Sequence, residues 1–168
     1  MTETTLAVPP RVTHKTFAYQ TSLEWVGGRA GIVAASGKAP FRVSSPPEFK
    51  GEAGVWTPED LFVAAAEICM MTTFLALAGR AGLPIESYAS EAEGSLEFTD
   101  GAYRMTRITL RPTITVKDAS EILRVDDTLA EAHRACIVSN SIRTNVAVEP
   151  LIRIAIVRPE CGLAQDVP

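Results

Sequence analysis

Two cysteines far apart in the chain, Cys69 in TPEDLFVAAAEICMM and Cys136 in AEAHRACIVSNSI, stand where thiol chemistry could occur. A thiolate is the nucleophile, so a reactive cysteine needs a nearby cation or hydrogen-bond donors that favour its charged form. Two thiols can also divide the work: one is oxidised to a sulfenic acid and the other condenses with it to a disulfide. The plain alternative is packing, because a free cysteine behaves as a small hydrophobe and is commonly buried. Around Cys69 no cation is close in sequence; Arg80 lies more than two helical turns on. Arg29, leaving the Gly27-Gly28 pair, is the candidate cation, with a solvated turn residue as its simpler reading. Glu59 precedes Cys69 by ten residues, about 15 Å of rise on a straight helix. Its ordinary role would be to favour the positive end of a helix in the first turn. It would meet Cys69 only through a kink or through other elements.

Cys136 has a second possible use. His133 lies three residues before it on the same helical face, so a metal pair is conceivable. A zinc site needs more ligands, and the other histidine, His14, is in a remote segment. No metal and no cofactor is therefore expected. Cys161, following Pro159, reads as incidental.

The elements that must position these residues belong to an ordinary globular chain of 168 residues, 46% hydrophobic and 21% charged. That length fits one domain, expected over residues 12–158, with a loose arm at 1–11 and a tail at 159–168. A net charge of -4 and the absence of a basic run argue against nucleic acid as a partner, since phosphate binding needs clustered Lys and Arg. Three widely spaced cysteines do not make a secreted disulfide framework, and the N-terminal stretch lacks the basic and apolar regions of a signal peptide. The long apolar run Leu61 to Ala78 contains Glu67, whose charge would cost about 2.5–3.5 kcal/mol at bilayer depth. A soluble, cytoplasmic protein with reduced thiols and no membrane partner is the expectation.

Strands are expected from Val12 to Trp25, then along GRAGIVAAS after the glycine turn, then near FRVSS, with PEFKGEAGVW as a loop. Thr57 as N-cap, Pro58 at the first helical position and Glu59-Asp60 in the first turn open a helix. Its apolar face runs through Leu61, Phe62, Ala65, Ile68, Cys69, Thr72, Leu75 and Ala76, so wide that cover from beyond one small sheet is required. A homodimer would supply it. Gly79, Gly82 and Pro84 end the helix. Glu91 to Val116 reads as a strand pair turning at Thr99-Asp100-Gly101, with Pro112 marking an edge or a bulge. Asp118 and Glu121 resemble a capping box for a second helix carrying Ile122, Leu129, Ala132 and Cys136. One final strand is expected from about Val146 to Val157. The order gives an α+β fold, mainly antiparallel sheet packed around a long buried helix.

WVGGRAG, TPEDLFVAAAEIC and AHRACIVSNSI, in this order and spacing over about residues 12–158, resemble the organic hydroperoxide resistance and osmotically inducible protein family, Ohr/OsmC. Members usually carry Cys-Pro-Val-Ser at the second cysteine, where this chain has Cys136-Ile137-Val138-Ser139. The resemblance implies an intertwined homodimer acting as a thiol peroxidase. Cys69 would be the peroxidatic cysteine and Cys136 its resolving partner; Arg29 would stabilise the Cys69 thiolate, and Glu59 would hold Arg29. The implied substrate is an alkyl or fatty-acyl hydroperoxide and the implied reductant a lipoyl-type dithiol. An apolar pocket lined by Phe62, Ile68, Met70, Met71 and Phe74 is expected around Cys69. The alternative on the same fold is a redox-sensing or small-molecule-binding protein with little turnover, which the loss of the usual proline at Ile137 favours.

Overall fold

The computed structural model describes residues 15–155; His14, Cys161, the expected arm and the expected tail lie outside them. The chain forms two compact units that divide between Val55 and Trp56. The first is an antiparallel meander of β1 (Ser22–Gly27), β2 (Ala30–Ala34) and β3 (Phe41–Ser44). Gly27 and Gly28 turn β1 into β2 at φ of 115° and 53°, values that L side chains resist. The expected first strand thus begins at Ser22 among the described residues, and a short 3-10 turn at Pro47–Phe49 replaces part of the expected loop.

In the second unit, α1 spans Pro58–Arg80. Asp60 N–H donates to the Thr57 hydroxyl at 3.1 Å, and Thr57 N–H donates back to the Asp60 carboxylate at 3.0 Å. This is a capping box, with Asp in the role more often taken by Glu. The helix stops on a Schellman motif. Leu83 N–H reaches Ala78 C=O at 2.9 Å and Gly82 N–H reaches Gly79 C=O at 3.3 Å, while Gly82 takes the left-handed φ of 58° that the motif needs.

The sheet of this unit is built on two long strands, β4 (Ser87–Thr99) and β5 (Ala102–Val116), paired antiparallel. Asp100 and Gly101, at φ of 54° and 78°, join them in the positive-φ conformation that matches strand twist. From β5 the chain crosses over through α2 (Ile122–Ala135) and α3 (Ile137–Ser141). It returns as β6 (Asn145–Val148) and β7 (Leu151–Ile154), both parallel to β5. A helical crossover is what lets neighbouring strands run parallel, so a mixed edge is added to the antiparallel frame.

Two local expectations need correction. Pro112 is neither at an edge nor at a bulge: it sits within the central strand, opposite Ser90. β6 pairs with residues 107–110 of β5 and β7 with residues 113–116. Pro112 occupies the step between them, where no ladder N–H is needed. The expected single last strand is accordingly two short ones, separated at Glu149-Pro150. Asp118 makes no side-chain cap; the chain enters α2 through a 3-10 turn, and the Glu121 carboxylate accepts from Arg124 at 2.6 Å.

α1 is apolar all round and by length and composition could cross a bilayer; this chain buries 22% of its most apolar stretch. The buried stripe is Ala66, Met70, Phe74 and Ala78, spaced four apart, packed with Ile108, Leu110 and Ile114 of β5 and Val125, Leu129 and Ala132 of α2. Gly94 on β4 admits the helix: a Cβ there would lie 2.5 Å from Val63 Cγ2 and 2.8 Å from Met105 Sδ. The face expected from sequence is the other one. Part of it remains open, with Ile68 56% and Leu75 40% exposed, while Phe62 and Cys69 on the same face are partly buried.

Candidate active site

Cys69 lies in the middle of α1, and the junction of α2 and α3 is packed beside it. α2 ends at Ala135; Cys136 takes an extended conformation at φ -64° and ψ 113°, and α3 starts at Ile137. That single non-helical residue brings the Cys136 side chain and the start of α3 beside Cys69. The Val138 amide, the Cys136 thiol and the Ile137 amide are near enough to favour a charged Cys69 sulfur. Thr73, one helical turn after Cys69, adds its hydroxyl.

Burial pushes the Cys69 thiol up, but the Val138 amide, the Cys136 thiol, the Ile137 amide and the Thr73 hydroxyl together outweigh it. The thiol therefore sits below its ordinary range, because donors to a thiolate favour the charged form. All four donors come from α1, α3 and the residue between α2 and α3. Cys136 is fully buried and receives a hydrogen bond from the Ser139 hydroxyl at 3.2 Å. Cys69 is half-buried and both thiols are free. The pair has what a two-thiol redox site needs: an accessible, acidified sulfur and a shielded neighbour aimed at it.

Within the second unit, Glu59 stands apart from the thiol pair. α1 runs unbroken from Pro58 to Arg80, so Glu59 is about 15 Å of rise from Cys69 and does not reach it within one chain. Glu59 instead lines a cleft of about 670 Å3 with Pro58, Phe62, Leu96, Arg104, Met105, Thr106 and the segment Ile142 to Thr144. Its Oε2 is buried there without a hydrogen-bond partner. Arg29, in the first unit, donates from its guanidinium to the Phe49 carbonyl. His133 lines a separate recess of about 260 Å3 with Asp126, Leu129, Ala130, Val148 and Pro150. Among the described residues no three His, Cys, Asp or Glu side chains gather as metal ligands. The expected apolar pocket is also redistributed: Met70 and Phe74 are core, Phe62 faces the Glu59 cleft, and Ile68 is exposed.

Sequence reasoning missed Thr73, Ser139 and the two amides. Thr73 follows Cys69 by four residues and Ser139 follows Cys136 by three, spacings that put partners on one helical face. The amides carry no mark in the sequence, since every residue but proline has one.

The OsmC-like protein family matches residues 51–150. Among curated proteins, the chain is 30% identical over 134 residues to the uncharacterized protein YmaD of Bacillus subtilis (strain 168), covering 74% of this chain and 86% of that one. It is 29% identical over 103 residues to peroxiredoxin OsmC of Escherichia coli (strain K12), covering 60% and 69%. Among solved structures, the organic hydroperoxide resistance protein OsmC of Legionella pneumophila superposes with a TM-score of 0.66 at 26% identity, covering 84% of this chain and 100% of that one.

Proposed function

This chain belongs to the OsmC-like protein family, and from that premise we propose that it is a thiol-dependent peroxidase that reduces organic hydroperoxides to alcohols. The observation that carries the reading is the placement of the buried Cys136 thiol beside the half-buried Cys69 sulfur. The names of two relatives, a peroxiredoxin and an organic hydroperoxide resistance protein, support the substrate class.

The Cys69 thiolate attacks the distal peroxide oxygen. The O–O bond breaks, the departing alkoxide takes a proton and leaves as alcohol, and Cys69 becomes a sulfenic acid. Cys136 then loses its proton and attacks the Cys69 sulfur; hydroxide leaves, is protonated to water, and the Cys69–Cys136 disulfide forms. A lipoyl-type dithiol reopens the bridge by two exchange steps, ending as its own cyclic disulfide and restoring both thiols. A reducing cytoplasmic setting suits that cycle.

Arg29 and Glu59 take their places in a homodimer. The unbroken α1 keeps a chain's own Glu59 away from its Cys69, and the buried Glu59 oxygen is without a partner, as a carboxylate meant for a guanidinium would be. The exposed Ile68 and Leu75 on the open face of α1 support a second copy as cover. Arg29, held by Glu59, then lies beside the thiolate and stabilises the charge that develops in peroxide cleavage.

The test is to mix reduced protein with cumene hydroperoxide and dihydrolipoamide and follow peroxide loss. Consumption abolished by Cys69→Ser is the expected result. No consumption, or consumption indifferent to Cys69→Ser, overturns the proposal.

A further inference from the structure

We infer that the cleft beside Glu59 is a binding site for a carboxylate amphiphile, its head held by Arg104 and Arg143 and its chain by the apolar wall. The inference goes beyond the peroxidase reading and does not rest on it. Phe62 precedes Cys69 by seven residues of an unbroken helix, about 10 Å of rise, so the wall begins away from the thiol pair.

The wall comes first. Phe62 of α1, Leu96 of β4, Met105 of β5 and Ile142 line a space of about 670 Å3, a size that small-molecule sites share. Leu96 and Met105 stand opposite each other because β5 carries one extra residue. Ser95 pairs with Arg107 and Leu96 with Met105, so Thr106 bulges out of the ladder. In an unbroken strand Met105 would share a face with Arg107 and Arg111; the bulge turns it to the side of Leu96.

Charge selects the head. Arg107 and Arg111, farther along β5, are paired with Glu149 and Glu93. Among the described residues no carboxylate meets Arg104 or Arg143, and both are exposed at the cleft. Glu97 stands opposite Arg104 in register, but its carboxylate accepts from the Thr106 hydroxyl at 2.6 Å instead. Guanidinium groups left without a carboxylate suit a planar oxyanion. Glu59 is the one acidic side chain of the lining. Two arginines less one carboxylate leave a single positive charge, which matches one carboxylate better than a phosphate monoester of nearly two charges.

The site is also held in shape. The Thr144 hydroxyl donates to the Met105 carbonyl at 2.9 Å. That bond ties the segment carrying Ile142 and Arg143 to the bulge. A rim fixed in advance loses less freedom when a ligand binds.

The experiment is calorimetric titration of reduced full-length protein with decanoate, below the concentration at which it self-associates. Saturable binding of one decanoate per chain is expected, and none of acetate, which has the head without the chain. Arg104→Gln and Arg143→Gln should each weaken it about fivefold, the weight of one lost hydrogen bond, and Leu96→Gln should weaken it through the wall. Cys69→Ser and Arg153→Gln, a change of an exposed arginine on β7, should bind as wild type does. Absence of saturable binding, an equal loss in Arg153→Gln, or tighter binding of decyl phosphate than of decanoate overturns the inference. Loss of binding in Cys69→Ser would place the ligand at the sulfur and overturn it as well. Decanoate binding without peroxide consumption would sink the proposed function and leave this inference standing; peroxide consumption without decanoate binding would do the reverse.

Discussion

The Ser139 hydroxyl donates to the Cys136 sulfur across 3.2 Å, and the Cys136 thiol lies beside Cys69. Three side chains from α3, the α2–α3 junction and the middle of α1 are thus gathered at the half-buried thiol. The arrangement has a chemical use. When Cys136 must become the attacking thiolate, Ser139 is already in place to offset the charge.

Ser139→Ala should therefore slow disulfide formation roughly fivefold, the effect of about 1 kcal/mol for one lost hydrogen bond. The Cys69 sulfenic acid would live correspondingly longer in a dimedone-trapping assay, and Ser139→Thr would restore the rate. An unchanged sulfenic acid lifetime in Ser139→Ala would show that the contact has no part in the step.

The acidified Cys69 thiol links stability to pH. Its folded-state value lies below the ordinary one of about 8.5, so between the two values the unfolded chain binds more protons than the folded one. The stabilisation from this group is complete above the ordinary thiol value and is lost as pH falls through the folded value. Urea unfolding of reduced protein should show the advantage of the wild type over Cys69→Ser growing as pH rises toward 9. A difference that does not change with pH would contradict the geometry of the four donors.

Much of the fold was legible where the signal is local. Thr57, Pro58 and Asp60 announce the start of α1, and Asp100-Gly101 announces the β4–β5 hairpin. Pro112 misled because its place depends on where β6 and β7 divide, a break made some 40 residues away in sequence. α1 misled because a helix apolar on all sides does not mark which face its own chain will cover. In the site, residue types and spacing left Cys69 and Cys136 as either packing or reactive thiols, and their pairing entered through the family resemblance. Two of the four groups that acidify Cys69 are backbone amides, unwritten in side-chain identity.

Gly94 is a packing requirement of the same helix. Gly94→Ala would drive a methyl against Val63 Cγ2, 2.5 Å away on a stiff branched side chain, and should cost about 1–3 kcal/mol in urea unfolding. Val63→Ala in the same chain should recover part of the loss. If Gly94→Ala is as stable as wild type, the close approach of α1 to β4 is not as described.

Glu59 and Cys69 should complement each other across two copies. Glu59→Gln and Cys69→Ser are each expected to be poor peroxidases, but unfolded together and refolded they should regain part of the activity through mixed dimers holding one intact site. A mixture no more active than its parents would place both residues in the service of one chain's own site.

The most direct measurement is the fate of the two sulfurs after one turnover. Fully reduced protein is treated with one equivalent of cumene hydroperoxide without reductant, remaining thiols are alkylated, and the digest is mapped under non-reducing conditions. A peptide cross-linked through Cys69 and Cys136, absent before peroxide and replaced by stable Cys69 sulfenic or sulfinic acid in Cys136→Ser, is the predicted result. Oxidised Cys69 beside a freely alkylated Cys136 in the wild-type chain would contradict it.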